Sequence, residues 1–135
     1  MGRVALDAGL ASGDWPWPGK QVYVLTSRPV PPDVAADVVV ASDSPSELLD
    51  RVRGSGIAGD AFLLGGQRTL SAFLALGAVD GLGLLELPVV FGEGVPFSRP
   101  GAQQSRLRLE RHRVFPDGTG EHVYSRIRTP SQNAR

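Results

Sequence analysis

The sequence predicts an α/β fold: a mostly parallel sheet flanked by helices, with an antiparallel hairpin at its C-terminal side. Three observations carry this. Short β-branched runs alternate with helical patterns between Gln21 and Leu87, as strands joined through helices do. Residues 106–128 instead alternate charged and apolar positions about a Pro-Asp-Gly turn, the pattern of a hairpin with one wet face. The 135 residues are 41% hydrophobic and 21% charged, which suits one domain with a packed core.

Met1 to Gly19 is poorly patterned, with Gly9, Gly13 and Gly19 and the breakers Trp15-Pro16-Trp17-Pro18. Gln21 to Thr26 (QVYVLT) is a β-branched and aromatic run and reads as a strand. Three prolines make Arg28 to Asp33 a loop. Asp37 to Ala41 (DVVVA) is a second strand, apolar enough for burial on both faces. Ser44 as N-cap, Pro45 at the first helical position and Glu47 three residues on form a capping box. Leu48, Leu49 and Val52 give that helix one apolar stripe, and Gly54 and Gly56 end it. Ala61 to Leu64 (AFLL) reads as a third buried strand, stopped by Gly65-Gly66. A helix follows over Gln67 to Leu76, with Gly77 at its C′ position. Leu82 to Leu87 is a fourth strand ended by Pro88, and Val89 to Gly101 is a Gly- and Pro-rich loop. Arg106 to Phe115 and Glu121 to Arg128 are the hairpin strands; the apolar phase shifts between Leu109 and Val114. Thr129 to Arg135 is a polar tail, expected to fray. The expected domain therefore spans residues 1–128.

Composition excludes several classes of function. Fourteen basic residues balance fourteen acidic ones, so no overall field draws the chain to nucleic acid or to anionic lipid. From Arg99 to Arg135 eight arginines face three acidic residues, a local basic excess that a solvated β-ribbon explains. The absence of cysteine removes disulfides, thiol nucleophiles and thiolate metal sites. No basic start leads into an apolar run, and no stretch approaches the roughly 18 apolar residues of a membrane helix. A soluble cytoplasmic protein is the expectation.

Ligands of such sheets sit at the carboxyl ends of strands, which singles out Thr26-Ser27-Arg28, Ser42-Asp43-Ser44 and Gly65-Gly66-Gln67. Glycines between a strand and a helix let the backbone approach a phosphate, with the N–H groups of Gln67, Arg68 and Thr69 at the positive helix end. A tight turn without a ligand fits the same residues. Thr26-Ser27-Arg28 offers two hydroxyls and a guanidinium, which suit a second phosphate, although a polar loop start is the favoured reading of the triplet taken alone. His112 and His122 have no acidic partner at metal-ligand spacing, so no metal site is expected and both read as surface residues. No Ser-His-Asp arrangement can be argued.

Jointly these residues resemble a family. The segment LLGGQRTLSAFLALGAVDGLGLLELPVVFGEGVPF (Leu63 to Phe97) is similar to the dihydrofolate reductase superfamily, closest to its RibD C-terminal branch from riboflavin biosynthesis. That branch carries a Gly-Gly turn, a short helix, a strand entered by Val-Asp and then Pro-x-x-x-Gly-x-Gly, matched here by Pro88, Gly92 and Gly94. Met1 to Arg3 (MGR), Trp15 to Pro29 (WPWPGKQVYVLTSRP) and the hairpin with Tyr124 also resemble it.

The resemblance implies a dihydrofolate reductase-like three-layer fold. It also implies an oxidoreductase that transfers a hydride from NADPH to a small pteridine-like or ribosylamino-pyrimidine-like substrate, with no nucleic acid or membrane partner, as a homodimer. Carried over, the cofactor-binding residues are Arg3, Leu25, Thr26, Ser27, Arg28, Gly65, Gly66, Gln67, Arg68 and Thr69. No catalytic residue follows from it. Where the branch has a basic residue, Thr and an aromatic after Gly-Arg, this chain has Val4, Ala5 and Leu6; Val-Asp-Glu is here Val79-Asp80-Gly81. The branch places a strand, a substrate-facing loop, a helix and a second strand before Met-Gly-Arg. The expectation is therefore a domain incomplete at its N-terminal side, active if upstream residues or a partner chain complete it. The alternative is a non-catalytic cofactor-binding remnant or an interaction module.

Overall fold

The computed structural model describes residues 1–31, 34, 38–102 and 104–127. Its elements are α1 (Arg3–Ala11), β1 (Val22–Leu25), β2 (Val38–Ser42), α2 (Pro45–Gly54), α3 (Gln67–Ala75), β3 (Gly81–Glu86), β4 (Leu107–Val114) and β5 (Gly120–Arg126). They fall into two compact units, Met1–Leu76 with Val95–Pro100, and Gly77–Gly94 with Gly101–Arg135.

In the first unit β1 and β2 pair in parallel from Val22↔Val38 to Leu25↔Ser42. Their core is Leu6, Val22 and Val24, against which Met1, Leu10, Trp15, Trp17 and Val30 pack. The poorly patterned N-terminal stretch holds a helix, which corrects the sequence reading. Leu6, Gly9 and Leu10 lie on one face of α1 at helical spacing, and Leu6 and Gly9 are buried. A glycine inside a helix costs about 1 kcal/mol relative to Ala, but here it admits an indole. A Cβ at Gly9 would stand 2.7 Å from the Trp17 ring. Trp15 meets Trp17 edge to face at 5.1 Å and donates its indole N–H to the Trp17 carbonyl.

The helix α2 begins as its capping residues predict. Ser44 Oγ accepts from Glu47 N at 3.3 Å, with Pro45 in the first turn. Glu47 closes the box through an intermediary: its Oε2 accepts from Ser42 Oγ, which in turn accepts from Ser44 N. The buried face of α2 is anchored by Leu48.

Ala61–Leu64 is not a strand, and this too corrects the reading. Phe62 is 83% exposed and Leu64 is also exposed, so the segment lacks the covered faces an apolar strand needs. One described main-chain bond reaches it, from Gly2 N to Leu64 O at 3.0 Å.

The second unit is a three-stranded antiparallel sheet in the order β3-β5-β4. β3 pairs with β5 from Gly81↔Ser125 to Glu86↔Gly120, and β4 pairs with β5 from Leu107↔Arg126 to Val114↔Gly120. The expected hairpin is therefore present, whereas the expected mostly parallel sheet is not: among the described strands only β1 and β2 run parallel. The apolar phase shift falls on a bulge between Leu109 and Arg111, where the extra residue Glu110 accepts from Ser125 Oγ. The turn is held by Phe115 N to Thr119 O at 2.8 Å, Gly118 N to Phe115 O at 2.9 Å and Thr119 N to Asp117 Oδ1 at 2.9 Å. Gly118 takes the left-handed conformation that position requires (φ 86°). The expected polar tail, Thr129 to Arg135, lies outside the described residues, as do residues 32, 33 and 35–37 before β2.

Candidate phosphate-binding site

Three stretches distant in sequence meet around Gly2 in the first unit. Gly2 N donates to Leu64 O, Leu25 N donates to Met1 O at 2.8 Å, and Gly2 bridges Leu25 in parallel. The Met1 ammonium donates to Tyr23 O at 2.5 Å, and burial lowers the pKa of that amine from its ordinary value. Gly-Arg, the end of β1 and the Gly-Gly turn thus share one neighbourhood.

Thr69 occupies its centre. The side chain is buried, and a Cβ at Gly2 would stand 2.5 Å from Thr69 Oγ1. A Cβ at Gly65 would stand 2.9 Å from Thr69 Cβ and 3.1 Å from Cγ2. Both glycines are therefore packing requirements set by Thr69. Gly66 differs: its φ is −78°, and no heavy atom lies within 4 Å of the position a Cβ would take. Neither conformation nor packing calls for glycine there. What its missing side chain leaves is open backbone at the first turn of α3.

That turn carries no acidic residue, and no side chain among the described residues caps it. The first helical bond runs from Leu70 N to Gly66 O, so the N–H groups of Gln67, Arg68 and Thr69 point out of the positive end of the helix. α2 offers no such opening, because Ser44 and Glu47 occupy its first turn. The Ser42-Asp43-Ser44 stretch accordingly spends its hydroxyls on the cap.

The other predicted residues divide by role. Thr26 N donates to Ser42 O, and Thr26 Oγ1 accepts from Arg28 N at 3.1 Å, closing a short side-chain turn that leaves Ser27 and Arg28 exposed. Arg3 is already engaged: Nε donates to Asp7 Oδ1 at 2.7 Å and Nη1 to Pro29 O at 2.8 Å. Gln67 Nε2 donates to Ser98 O at 2.8 Å and so ties the start of α3 to the Val95–Pro100 segment. Arg68 is exposed beside that helix end. Sequence reasoning missed Asp7, whose carboxylate takes Arg3 and also Arg28 Nη2 at 3.3 Å. The i,i+4 spacing to Arg3 was its only local signal.

In the second unit a shallow cleft is lined by Glu86, Pro88, Val114, Gly118 and His122; it contains none of the predicted cofactor residues. His112 and His122 face each other across β4 and β5 with ring centroids 6.5 Å apart. Among the described residues no group of three His, Cys, Asp or Glu could hold a metal, and no helix is long and apolar enough to cross a membrane.

The chain shares its α/β fold with solved structures described as a riboflavin biosynthesis protein and a pyrimidine reductase-like protein. A Shewanella sp. PV-4 protein provisionally assigned to riboflavin biosynthesis superposes with a TM-score of 0.78 at 24% identity, covering 95% of this chain and 72% of that one. A pyrimidine reductase-like protein of Corynebacterium diphtheriae superposes with a TM-score of 0.57 at 27% identity, over 72% of this chain and 42% of that one. In sequence, the uncharacterized Bacillus subtilis (strain 168) protein YyaP is 37% identical over 65 residues. That match spans 48% of this chain and 35% of the relative's length. No protein-family profile matches the chain.

Proposed function

We propose that this chain binds the phosphates of NADPH and serves an NADPH-dependent reductase acting on a small pteridine-like or ribosylamino-pyrimidine-like substrate. The observation that carries the reading is Gly66, a glycine the fold does not need, at the uncapped start of α3. A phosphate at a helix N-terminus gains main-chain hydrogen bonds and the favourable end of the helix dipole. A side chain at Gly66 would stand where a pyrophosphate approaches. The fit extends to charge: no carboxylate stands in the first turn of α3, and Arg68 is beside it.

In this reading Gly65 and Thr69 set the backbone, and Gly66, Gln67 and Arg68 present N–H donors and one cation to the pyrophosphate. Thr26, Ser27 and Arg28 receive the phosphate on the adenosine ribose, where hydroxyls and a guanidinium match a phosphomonoester. NADPH supplies the hydride when bound; these residues bind and orient it. Two structural relatives, one described as a riboflavin biosynthesis protein and one as pyrimidine reductase-like, support the reading at the level of fold, which by itself fixes no chemistry.

A titration of NADPH fluorescence with the purified chain tests it. Saturable binding that weakens about tenfold or more on Arg28→Ala, the loss of one charge-assisted phosphate contact, is the expected result. No saturable change would overturn it. Turnover with a dihydropteridine or a ribosylamino-pyrimidine would establish the reductase; NADPH binding with neither substrate turned over would leave a cofactor-binding protein.

A further inference from the structure

The two arginines assigned to the cofactor share one counter-ion. Asp7 Oδ1 takes Arg3 Nε at 2.7 Å, and Asp7 Oδ2 takes Arg28 Nη2 at 3.3 Å. The arginines are not equivalent. Arg3 is 17% exposed, and its Nη1 also reaches the carbonyls of Pro29 at 2.8 Å and Arg28 at 3.5 Å. It is a strap that fastens the start of α1 to the backbone of the loop after β1. Arg28 is 63% exposed and holds Asp7 through one longer contact. Its guanidinium is the one that can leave.

We propose that Asp7 sets the discrimination of this site for a nucleotide carrying a ribose phosphomonoester over one without it. The inference rests on the reading of Thr26-Ser27-Arg28 as the site of the adenosine-side phosphate. A phosphomonoester carries a charge of about −1.5 to −2 at neutral pH and three acceptor oxygens, so it competes with a carboxylate for the Arg28 guanidinium. Once Arg28 turns to the phosphate, Asp7 stays beside it as a like charge, held in place by Arg3. The carboxylate therefore opposes the phosphorylated nucleotide and hardly touches the other. Asp7 is 44% exposed, so solvent screens the effect and it is a tuning, not an exclusion.

Asp7→Asn separates these roles, because the amide oxygen still accepts from Arg3 while the charge is gone. Calorimetric titration would compare 2′,5′-ADP, 5′-AMP and NADPH on the wild-type chain, Asp7→Asn, Arg28→Ala and the double variant. The expected result is that Asp7→Asn tightens 2′,5′-ADP about two- to fivefold, the size of a screened surface charge pair, and leaves 5′-AMP unchanged. In the Arg28→Ala background the gain should shrink, because the competition for Arg28 is gone and only the screened like-charge repulsion is left. If Asp7→Asn loses its folded circular-dichroism spectrum, Asp7→Ser removes the same charge and keeps a hydroxyl acceptor. Unchanged or weaker 2′,5′-ADP binding by the charge-free variant, with saturable binding by the wild type, overturns the proposal and leaves the NADPH reading intact. A gain for 2′,5′-ADP without any binding of NADPH overturns that reading and keeps this proposal. No binding of any of the three overturns both.

Discussion

Three glycines around one threonine illustrate how little a motif says until its neighbours are known. Gly2, Gly65 and Gly66 look alike in sequence, yet a Cβ at Gly2 meets the Thr69 hydroxyl, one at Gly65 meets Thr69 Cβ, and one at Gly66 meets nothing. The consequences differ accordingly. Gly2→Ala should lower the melting temperature, and Thr69→Ala should largely rescue it, because removing Oγ1 leaves Thr69 Cβ 3.6 Å away. Gly65→Ala should cost about 1–3 kcal/mol, as overpacking does, and Thr69→Ala should not rescue it because alanine keeps Cβ. Gly66→Ala should leave the melting temperature nearly unchanged and weaken NADPH. Thermal denaturation of the five variants beside NADPH titration decides the matter; a Gly66→Ala chain that binds NADPH like the wild type would remove the phosphate role of that glycine.

The elements were legible where local chemistry alone determines them. Ser44-Pro45 starts α2 and Gly77 ends α3 because caps are settled within a turn of chain. The hairpin was legible in the alternation of its strands, and the shift in that alternation after Leu109 falls where β4 bulges. What failed depends on contacts distant in sequence. Gly9 hid α1, because its reason is Trp17. Ala61–Leu64 has the residues of a strand, but a strand also needs covered faces and paired edges. That β3 runs antiparallel is decided by β5, which lies well over thirty residues further on. The site followed the same division: the Gly-Gly turn and Thr26-Ser27-Arg28 were visible as motifs, whereas the reach from Asp7 to Arg28 spans 21 positions. The β4–β5 turn carries a pH-dependent consequence of its own. The main-chain N–H of Thr119 and then its side chain bond Asp117 and lower the carboxyl's pKa from 3.8. A folded-state pKa below the unfolded one gives stability that is present above about 3.8 and lost as pH falls through the depressed value. Asp117→Asn should therefore melt below the wild type at pH 7, and the gap should close as the pH is taken down through the window below 3.8. A gap of constant size across that range would remove the carboxylate from the stability of the turn.

Each of the two units exposes large apolar side chains. Leu87, Val89, Val90 and Phe91 are all exposed in one stretch of the second unit, Val90 at 96%, and in the first unit Phe62 stands out at 83%. Runs of large exposed apolar side chains mark contact surfaces or association hazards, because water is released when they are covered. The chain should therefore self-associate, with a homodimer as the expected species. A phenylalanine fully covered in such a contact stabilises it by about 1.5–3 kcal/mol, and each 1.4 kcal/mol is about tenfold in affinity. Phe91→Lys and Phe62→Lys should thus identify the covered segment: the variant that lies in it weakens association at least about tenfold, and the other leaves it unchanged. Sedimentation velocity over a range of protein concentrations reads this directly, with circular dichroism to show that both variants stay folded. A wild-type chain that sediments as a monomer at every concentration would sink the expectation, and the exposed Leu87–Phe91 stretch would then have to be accounted for by a different partner.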